Sequence, residues 1–195
     1  MTTRKVTKKR RSSVYTKKDY ESGDGMLTSV WGPSMWHYMH TMSFNYPVDP
    51  TSQEKKHYYR FMKNLVHVLP CKYCRINLKT NYKNLPLRMC DMKSRHTFSR
   101  YVYRLHELVN KMLKKKSGLT YCQVRDRYEN FRARCTQKKP LLFKINKRGT
   151  RKESGCTVPL HGKKAKGIIK IVPLGTRCKS FQMNRECEKK IITVE

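Results

Sequence analysis

Residues 95–114 constrain the fold of this chain more than any other stretch of its sequence. Their apolar side chains recur at helical spacing, at Phe98, Tyr101, Val102, Leu105, Leu108, Val109 and Met112. The lysines at 114–116 lie at the C-terminal end of this predicted helix, where the helix dipole favours cations. Gly118 is predicted to end the helix. Because a helix with one broad apolar face must bury that face, the sequence predicts a helical core.

A preceding segment, residues 27–46, carries a second helical pattern. Pro33 suits the first turn of a helix. From there Trp36, Met39, His40 and Ser43 fall on one face. Trp36 and His40 are four residues apart, so they are neighbours on that face and predict a flat, partly polar wall.

Capping patterns mark the remaining helices. Thr51 with Glu54 opens a helix that runs to Pro70, and Thr120 with Gln123 opens a short one. Another helix is predicted over residues 71–82. The predicted fold class is all-α, a four-helix bundle plus a short fifth helix, spanning residues 27–135 and without a strand pattern before residue 140.

The two ends of the chain differ from this domain. Residues 1–26 are polar and basic and are predicted to form a flexible arm. Residues 136–195, the C-terminal extension, are predicted to be disordered or a small β-rich appendage, with 167–172 and 191–194 as candidate strands. We find no apolar run of membrane-spanning length and expect no secretory signal.

The charge of the chain is extreme: 45 Lys and Arg against 13 Asp and Glu give a formal net charge of +32. Such a charge predicts attraction to nucleic acid, anionic membranes or acidic protein surfaces. It does not distinguish between these partners. The basic tails are therefore expected to contact DNA or acidic proteins.

Cys71 and Cys74 form a CxxC pair directly after Pro70. A helix that starts here stabilises a thiolate through its dipole, and Lys72 and Arg75 add positive charge. The pair is therefore predicted to cycle between dithiol and disulfide. Half of a zinc site, or two unrelated thiols, are the alternatives, although the sequence holds no second CxxC to complete a zinc site.

Three motifs occur in order along the helical domain: the run from Trp31 to His40, WGPSMWHYMH, then the CxxC pair, then the run from His106 to Asn110, HELVN. In this order they resemble the Erv/ALR family of FAD-linked sulfhydryl oxidases. The resemblance covers residues 27–134. Glu107 departs from it, because the family usually has Asn at that place.

The resemblance implies a bundle that holds FAD. It makes Cys71 the thiol that faces the substrate and Cys74 the catalytic thiolate against the flavin. It implies further flavin contacts from Trp31, Gly32, Trp36, His40, His106, Val109 and Asn110. Lys114 and Tyr128 match more loosely, at positions where the family touches phosphate or adenine. No metal is implied.

The implied reaction passes electrons from a partner's dithiol through the CxxC pair to FAD and then to oxygen, which yields hydrogen peroxide. The implied partners are thiol-containing proteins, with a thioredoxin-like carrier as one candidate, and a second copy of the chain in a homodimer. By analogy with enzymes of large cytoplasmic DNA viruses, the expected location is the host cytoplasm or the virion.

Family members often carry a second, structural disulfide. Its first cysteine falls at Tyr103 here and its second at Cys122, so this clamp is expected to be absent. Two other functions stay open at this point: a basic nucleic-acid-binding virion protein, with thiols that are incidental or bind zinc, and a flavin-free dithiol carrier.

Overall fold

The computed structural model describes residues 15–134, 156–179 and 181–188. The helices are α1 (Lys17–Tyr20), α2 (Thr28–Phe44), α3 (Ser52–Val68), α4 (Lys72–Asn84), α5 (Arg95–Met112) and α6 (Tyr121–Glu129). Short 3-10 helices cover Met89–Met92 and Arg185–Cys187, and strands β1 (Ala133–Arg134) and β2 (Val158–Pro159) pair antiparallel. Four long helices followed by a short one confirm the predicted fold class.

The predicted helix starts at Thr51 and Thr120 are confirmed. Each threonine accepts a hydrogen bond from the main-chain N–H three residues on, and the Glu54 or Gln123 side chain accepts one from the threonine's own N–H. These reciprocal bonds satisfy N–H groups that the first turn of a helix leaves free. Ser94 caps α5 in the same way.

The predicted position of Pro33 in a first helical turn is wrong. The α2 helix begins at Thr28, so Pro33 lies inside it. The first turn is closed by bonds from the N–H groups of Val30 and Trp31 to the Leu27 carbonyl. An interior proline removes one helical hydrogen bond and crowds the carbonyl four residues before it, yet α2 continues through this position.

The middle of α5 forms the centre of the core, as its pattern predicts. Phe98, Tyr101, Val102 and Leu105 are at most 1% exposed. The α5 helix packs against α2, α4 and α6, while α3 packs against α4. After Leu105 the apolar face is less well covered, and Met112 is 43% exposed.

Three buried tyrosines tie neighbouring parts of the bundle together. Each hydroxyl donates to a main-chain carbonyl: Tyr46 to Met92 (2.9 Å), Tyr82 to Met62 (2.6 Å) and Tyr101 to Leu85 (3.0 Å). Burial raises the pKa of Tyr46 to about 12 and raises the other two pKa values further. The hydroxyls therefore stay protonated. The Tyr46 and Tyr101 bonds fix connecting segments against the bundle, and the Tyr82 bond joins α4 to α3.

The tails contain structure that the sequence did not predict. Helix α1 lies within the predicted flexible arm, and β1 precedes residue 140. The candidate strand over 167–172 is not formed, since this stretch pairs with no strand among the described residues and Ile168 is 79% exposed. A β-branched run needs a partner strand and a buried face to form a strand. Residues 191–194 lie outside the described residues.

Helix α5 ends earlier than predicted, and Lys114 rather than Gly118 ends it. Lys114 has a left-handed backbone with φ 55°. The Lys115 N–H donates to the Asn110 carbonyl (2.8 Å) and the Lys114 N–H to the Lys111 carbonyl (3.1 Å). This pair of bonds is the Schellman ending, in which the left-handed position usually holds glycine.

Replacing Lys114 by glycine is therefore expected to raise the free energy of unfolding by about 1 kcal/mol, because the strain of a side chain in the left-handed region is removed. Urea unfolding measures the change. Lys116→Gly is the matched control and is expected to leave stability unchanged or lower it. A Lys114→Gly variant less stable than the parent protein contradicts the assignment of strain.

Candidate functional site

The CxxC pair lies at the N-terminus of α4. Cys71 is the N-cap residue, and its sulfur accepts a hydrogen bond from the Cys74 N–H at 3.2 Å. Both cysteines are half-buried free thiols. The sulfurs therefore lie within the first turn of α4, where its free N–H groups and its dipole favour a thiolate.

The two thiols differ in acidity. The pKa of Cys71 lies below its ordinary value because its sulfur accepts hydrogen bonds, first from the Cys74 thiol and also from main-chain N–H groups. Burial, followed by the bond to Cys71, raises the pKa of Cys74. The sequence predicted that the start of the helix stabilises a thiolate and that Lys72 and Arg75 add to this effect. The structure assigns it to hydrogen bonds within the turn, while the Arg75 guanidinium donates to the Leu69 carbonyl.

Four predicted residues and Phe44 meet where α2, α5 and α6 come together. We call Trp36, His40, Phe44, His106 and Tyr128 the ring cluster. The Trp36 and His106 rings stack with centroids 4.0 Å apart and planes 5° apart. His40 Nε2 lies 2.9 Å from His106 Nδ1. Tyr128 lies beside His40 and stacks on Phe44.

The flat wall predicted from Trp36 and His40 is built differently. Those two rings are 6.3 Å apart and tilted by 37°, because His40 turns toward its hydrogen bond with His106. The ring that lies parallel to Trp36 is His106, from another helix. At 4.0 Å nothing fits between these two rings, so a planar ligand has only their outer faces to stack on.

The two histidines are neutral near pH 7. Burial, with smaller contributions from His106 and His37, lowers the pKa of His40 to about 3. Burial likewise lowers the pKa of His106 to about 4, against the opposing effect of Glu107. His40 Nδ1 is buried and has no hydrogen-bond partner among the described residues. A buried polar atom without a partner is a place where a ligand can bind.

The other predicted contacts surround these two centres. The Trp31 indole N–H donates to the Met26 carbonyl, and a Cβ added at Gly32 would lie 3.7 Å from the methyl group of Thr28. The Asn110 amide donates to Glu107, the residue that departs from the family pattern. Two more predicted residues lie in and just after α5: half-buried Val109 and exposed Lys114.

The expected absence of the second disulfide clamp agrees with the structure. Cys122 is an exposed free thiol. The Tyr103 hydroxyl donates to the Leu119 carbonyl at 2.8 Å, so a hydrogen bond joins α5 to the segment before α6. Cys156 is disulfide-bonded, whereas Cys90, Cys178 and Cys187 are free. Among the described residues no group of three or more His, Cys, Asp or Glu could hold a metal ion.

Several residues near the site were missed by the sequence analysis. Thr28 Oγ1 lies 3.8 Å from Cys74 Sγ, and Phe44 belongs to the ring cluster. His37 contacts Tyr128 and also Phe181 of the C-terminal extension. Phe44 follows His40 by four residues, and this helical spacing was an available signal. Nothing in the sequence pairs Thr28 with Cys74.

No described helix is long and apolar enough to cross a bilayer.

Comparison with known proteins identifies a single family. The profile of the Erv1 / Alr family matches residues 33–130, half of the chain. The probable FAD-linked sulfhydryl oxidase R368 of Acanthamoeba polyphaga mimivirus is 34% identical over 96 residues, which cover 49% of this chain and 66% of that protein. The mitochondrial FAD-linked sulfhydryl oxidase ERV1 of Saccharomyces cerevisiae is 31% identical over 85 residues, or 43% of each protein.

A solved structure, the yeast Erv1 core, is 24% identical, with a TM-score of 0.49 and coverage of 61% of this chain and 93% of that one. The chain thus matches between about two fifths and two thirds of the length of the two relatives described.

Proposed function

Because the chain belongs to the Erv1 / Alr family, we propose that it is an FAD-linked sulfhydryl oxidase that forms disulfides in partner proteins. One observation carries the proposal. A CxxC pair caps α4, and the same helical domain holds a cluster of stacked rings with an unpartnered buried histidine nitrogen. Neither a zinc site nor a plain dithiol carrier makes use of such a ring cluster.

The residues present fit an FAD group. The outer faces of Trp36 and His106 offer a flat aromatic surface, and His40 Nδ1 offers a neutral hydrogen-bonding atom. The apolar face of α5 is sealed up to Leu105 and only partly covered beyond it, which leaves apolar surface for a ligand beside His106. When bound, FAD supplies a two-electron acceptor that oxygen can reoxidise.

We propose that the further contacts come from Trp31, Gly32, Val109 and Asn110, with Cys74 against the flavin. Lys114 and Tyr128 would then serve the phosphate and adenine end. Lys114 is exposed and cationic, which suits a phosphate. Tyr128 belongs to the ring cluster, which suits an adenine ring.

In the oxidised enzyme the two thiols form a disulfide. A partner's thiolate attacks the Cys71 sulfur, the Cys71–Cys74 bond breaks, and its electron pair stays on Cys74 as a thiolate. A second partner thiolate then attacks the partner's own sulfur and releases Cys71 as a thiolate. Main-chain N–H groups of the α4 turn, which also lower the pKa of Cys71, would stabilise this departing thiolate.

The proposed function is tested by a visible spectrum of the purified protein and by oxygen uptake. We expect a flavin absorption band that bleaches under dithiothreitol without oxygen and returns when air is admitted. We also expect oxygen uptake that depends on the dithiol and releases hydrogen peroxide. A colourless protein that binds no added FAD and consumes no oxygen with dithiothreitol contradicts the proposal.

The charge of +32 supports a second role for the tails, contact with DNA or acidic protein surfaces. Binding to DNA is expected to weaken steeply as salt rises, while oxidase turnover of a small dithiol changes little. We further propose protein thiols as substrates, with a thioredoxin-like carrier among them, a homodimer, and a location in the host cytoplasm or the virion. The mimivirus relative supports a viral setting.

A further inference from the structure

Thr28 brings a hydroxyl group from outside the CxxC turn close to the Cys74 sulfur. It is the first residue of α2, and its hydroxyl oxygen is 3.8 Å from Cys74 Sγ. It lies before residues 33–130, the part of the chain that the family profile matches. A hydroxyl can donate to a thiolate, whereas a thiolate can only accept.

The position of Thr28 is held by main-chain contacts just before it. We call residues 25–27 the strap. Gly25 forms an antiparallel bridge with Cys71, and the Met26 N–H donates to the Pro70 carbonyl at 2.8 Å. The Trp31 indole N–H donates to the Met26 carbonyl, which ties the strap to α2 as well.

Gly25 permits this close approach. Its φ is +112°, a region that side chains rarely adopt, and a Cβ added there would lie 2.8 Å from the Pro70 carbonyl oxygen. Any larger residue must therefore move the strap away from the CxxC turn. The strap thus couples the start of α2 to the cysteine pair, although the two are far apart in sequence.

The Thr28 hydroxyl affects the pKa of Cys74. Burial is the main cause that raises the pKa of Cys74, and the hydrogen bond with Thr28 acts in the opposite direction. Leu27, the N-cap residue of α2, makes no side-chain capping bond. The Thr28 hydroxyl instead lies against the cysteine pair: its oxygen is 3.8 Å from Cys74 Sγ, and a hydrogen bond from it also lowers the pKa of Cys71. The hydroxyl therefore bonds to the sulfur and does not cap its own helix.

We propose that Thr28 is a further catalytic residue: its hydroxyl donates a hydrogen bond to the Cys74 sulfur and stabilises the thiolate released when the Cys71–Cys74 disulfide opens. The inference rests on the proposed function, which supplies that disulfide exchange. The partner's thiolate bonds to Cys71, the Cys71–Cys74 bond breaks, and both electrons remain on Cys74. Thr28 keeps its proton throughout and acts only as a donor.

The test compares Thr28→Val, which removes the hydroxyl at nearly constant shape, with Thr28→Ser, which keeps it. Both are made in full-length protein carrying Cys71→Ser, so that Cys74 is the remaining thiol of the pair. The rate of alkylation of Cys74 by iodoacetamide is followed from pH 6 to 10 by mass spectrometry of the peptide that contains it. Thr41→Val, which removes another exposed hydroxyl of α2, is the matched control.

At pH values below the pKa of Cys74, we expect Thr28→Val to lower the fraction of Cys74 that is present as thiolate by about tenfold. Thr28→Ser and Thr41→Val are expected to behave like the parent protein. Equal profiles for Thr28→Val and the parent overturn the inference. Equal losses in the valine and serine variants also overturn it, because packing would then be responsible. Thermal unfolding of each variant confirms that it is folded.

Gly25→Ala tests the strap separately. It is expected to reproduce the loss seen in Thr28→Val while Thr28 itself is intact, and an unchanged alkylation profile overturns the role of the strap. None of these measurements needs oxygen or flavin turnover. A protein without oxidase activity refutes the proposed function and leaves the alkylation result readable, so the two failures can be told apart.

Discussion

Replacing Cys74 by serine is expected to abolish thiol-dependent oxygen uptake, with a fall of at least about a thousandfold. A serine hydroxyl is neither a good leaving group in disulfide exchange nor a two-electron donor. Cys74 is only half-buried and adds no side chain to the core, so the fold is expected to survive. The yellow colour of the bound flavin should therefore persist in the inactive protein.

The matched control is Cys122→Ser. Cys122 is also a free cysteine but is fully exposed at the start of α6, and its replacement is expected to leave turnover unchanged. Cys71→Ser is expected to be as inactive as Cys74→Ser, since either change removes the disulfide. A Cys74→Ser variant that takes up oxygen at more than about one hundredth of the parent rate contradicts the assigned role.

Acidification from pH 7.5 to 5 is expected to lower the free energy of unfolding by about 3–4 kcal/mol through His40 and His106. Burial lowers their folded-state pKa values to about 3 and about 4, while the ordinary value is 6.5. Below pH 6.5 the unfolded chain gains protons that the folded protein does not. The stability is thus fully present above pH 6.5 and is lost as the pH falls toward the folded-state pKa values.

Urea unfolding at the two pH values measures this loss. His40→Gln is expected to show a smaller loss than the parent, because one of the two histidines no longer titrates. His67→Gln, at an exposed position of α3, is the control and is expected to keep the full loss. NMR titration provides an independent measurement: imidazole signals of His40 and His106 that shift with a midpoint near pH 6.5 contradict the prediction.

The sequence predicted contacts correctly where the interacting residues lie close together in the chain. Thr51 and Thr120 were correctly placed as caps, because each bonds a residue three positions on. The α5 pattern predicted the core, because side chains three and four residues apart share a helix face. Pro33 was misplaced because α2 begins earlier and continues through this proline. Gly118 was misplaced because α5 ends at Lys114, which has a left-handed backbone.

The sequence by itself determined the helices, the order of the three motifs and the cysteine pair at the start of a helix. These depend on period, capping and dipole effects that act within about one turn. Only the tertiary structure decided that Trp36 stacks on His106 rather than beside His40, and that Thr28 meets Cys74 from 46 residues away. Such contacts depend on how helices cross and how a strap of main chain is held, and no local pattern encodes the crossing of two distant segments.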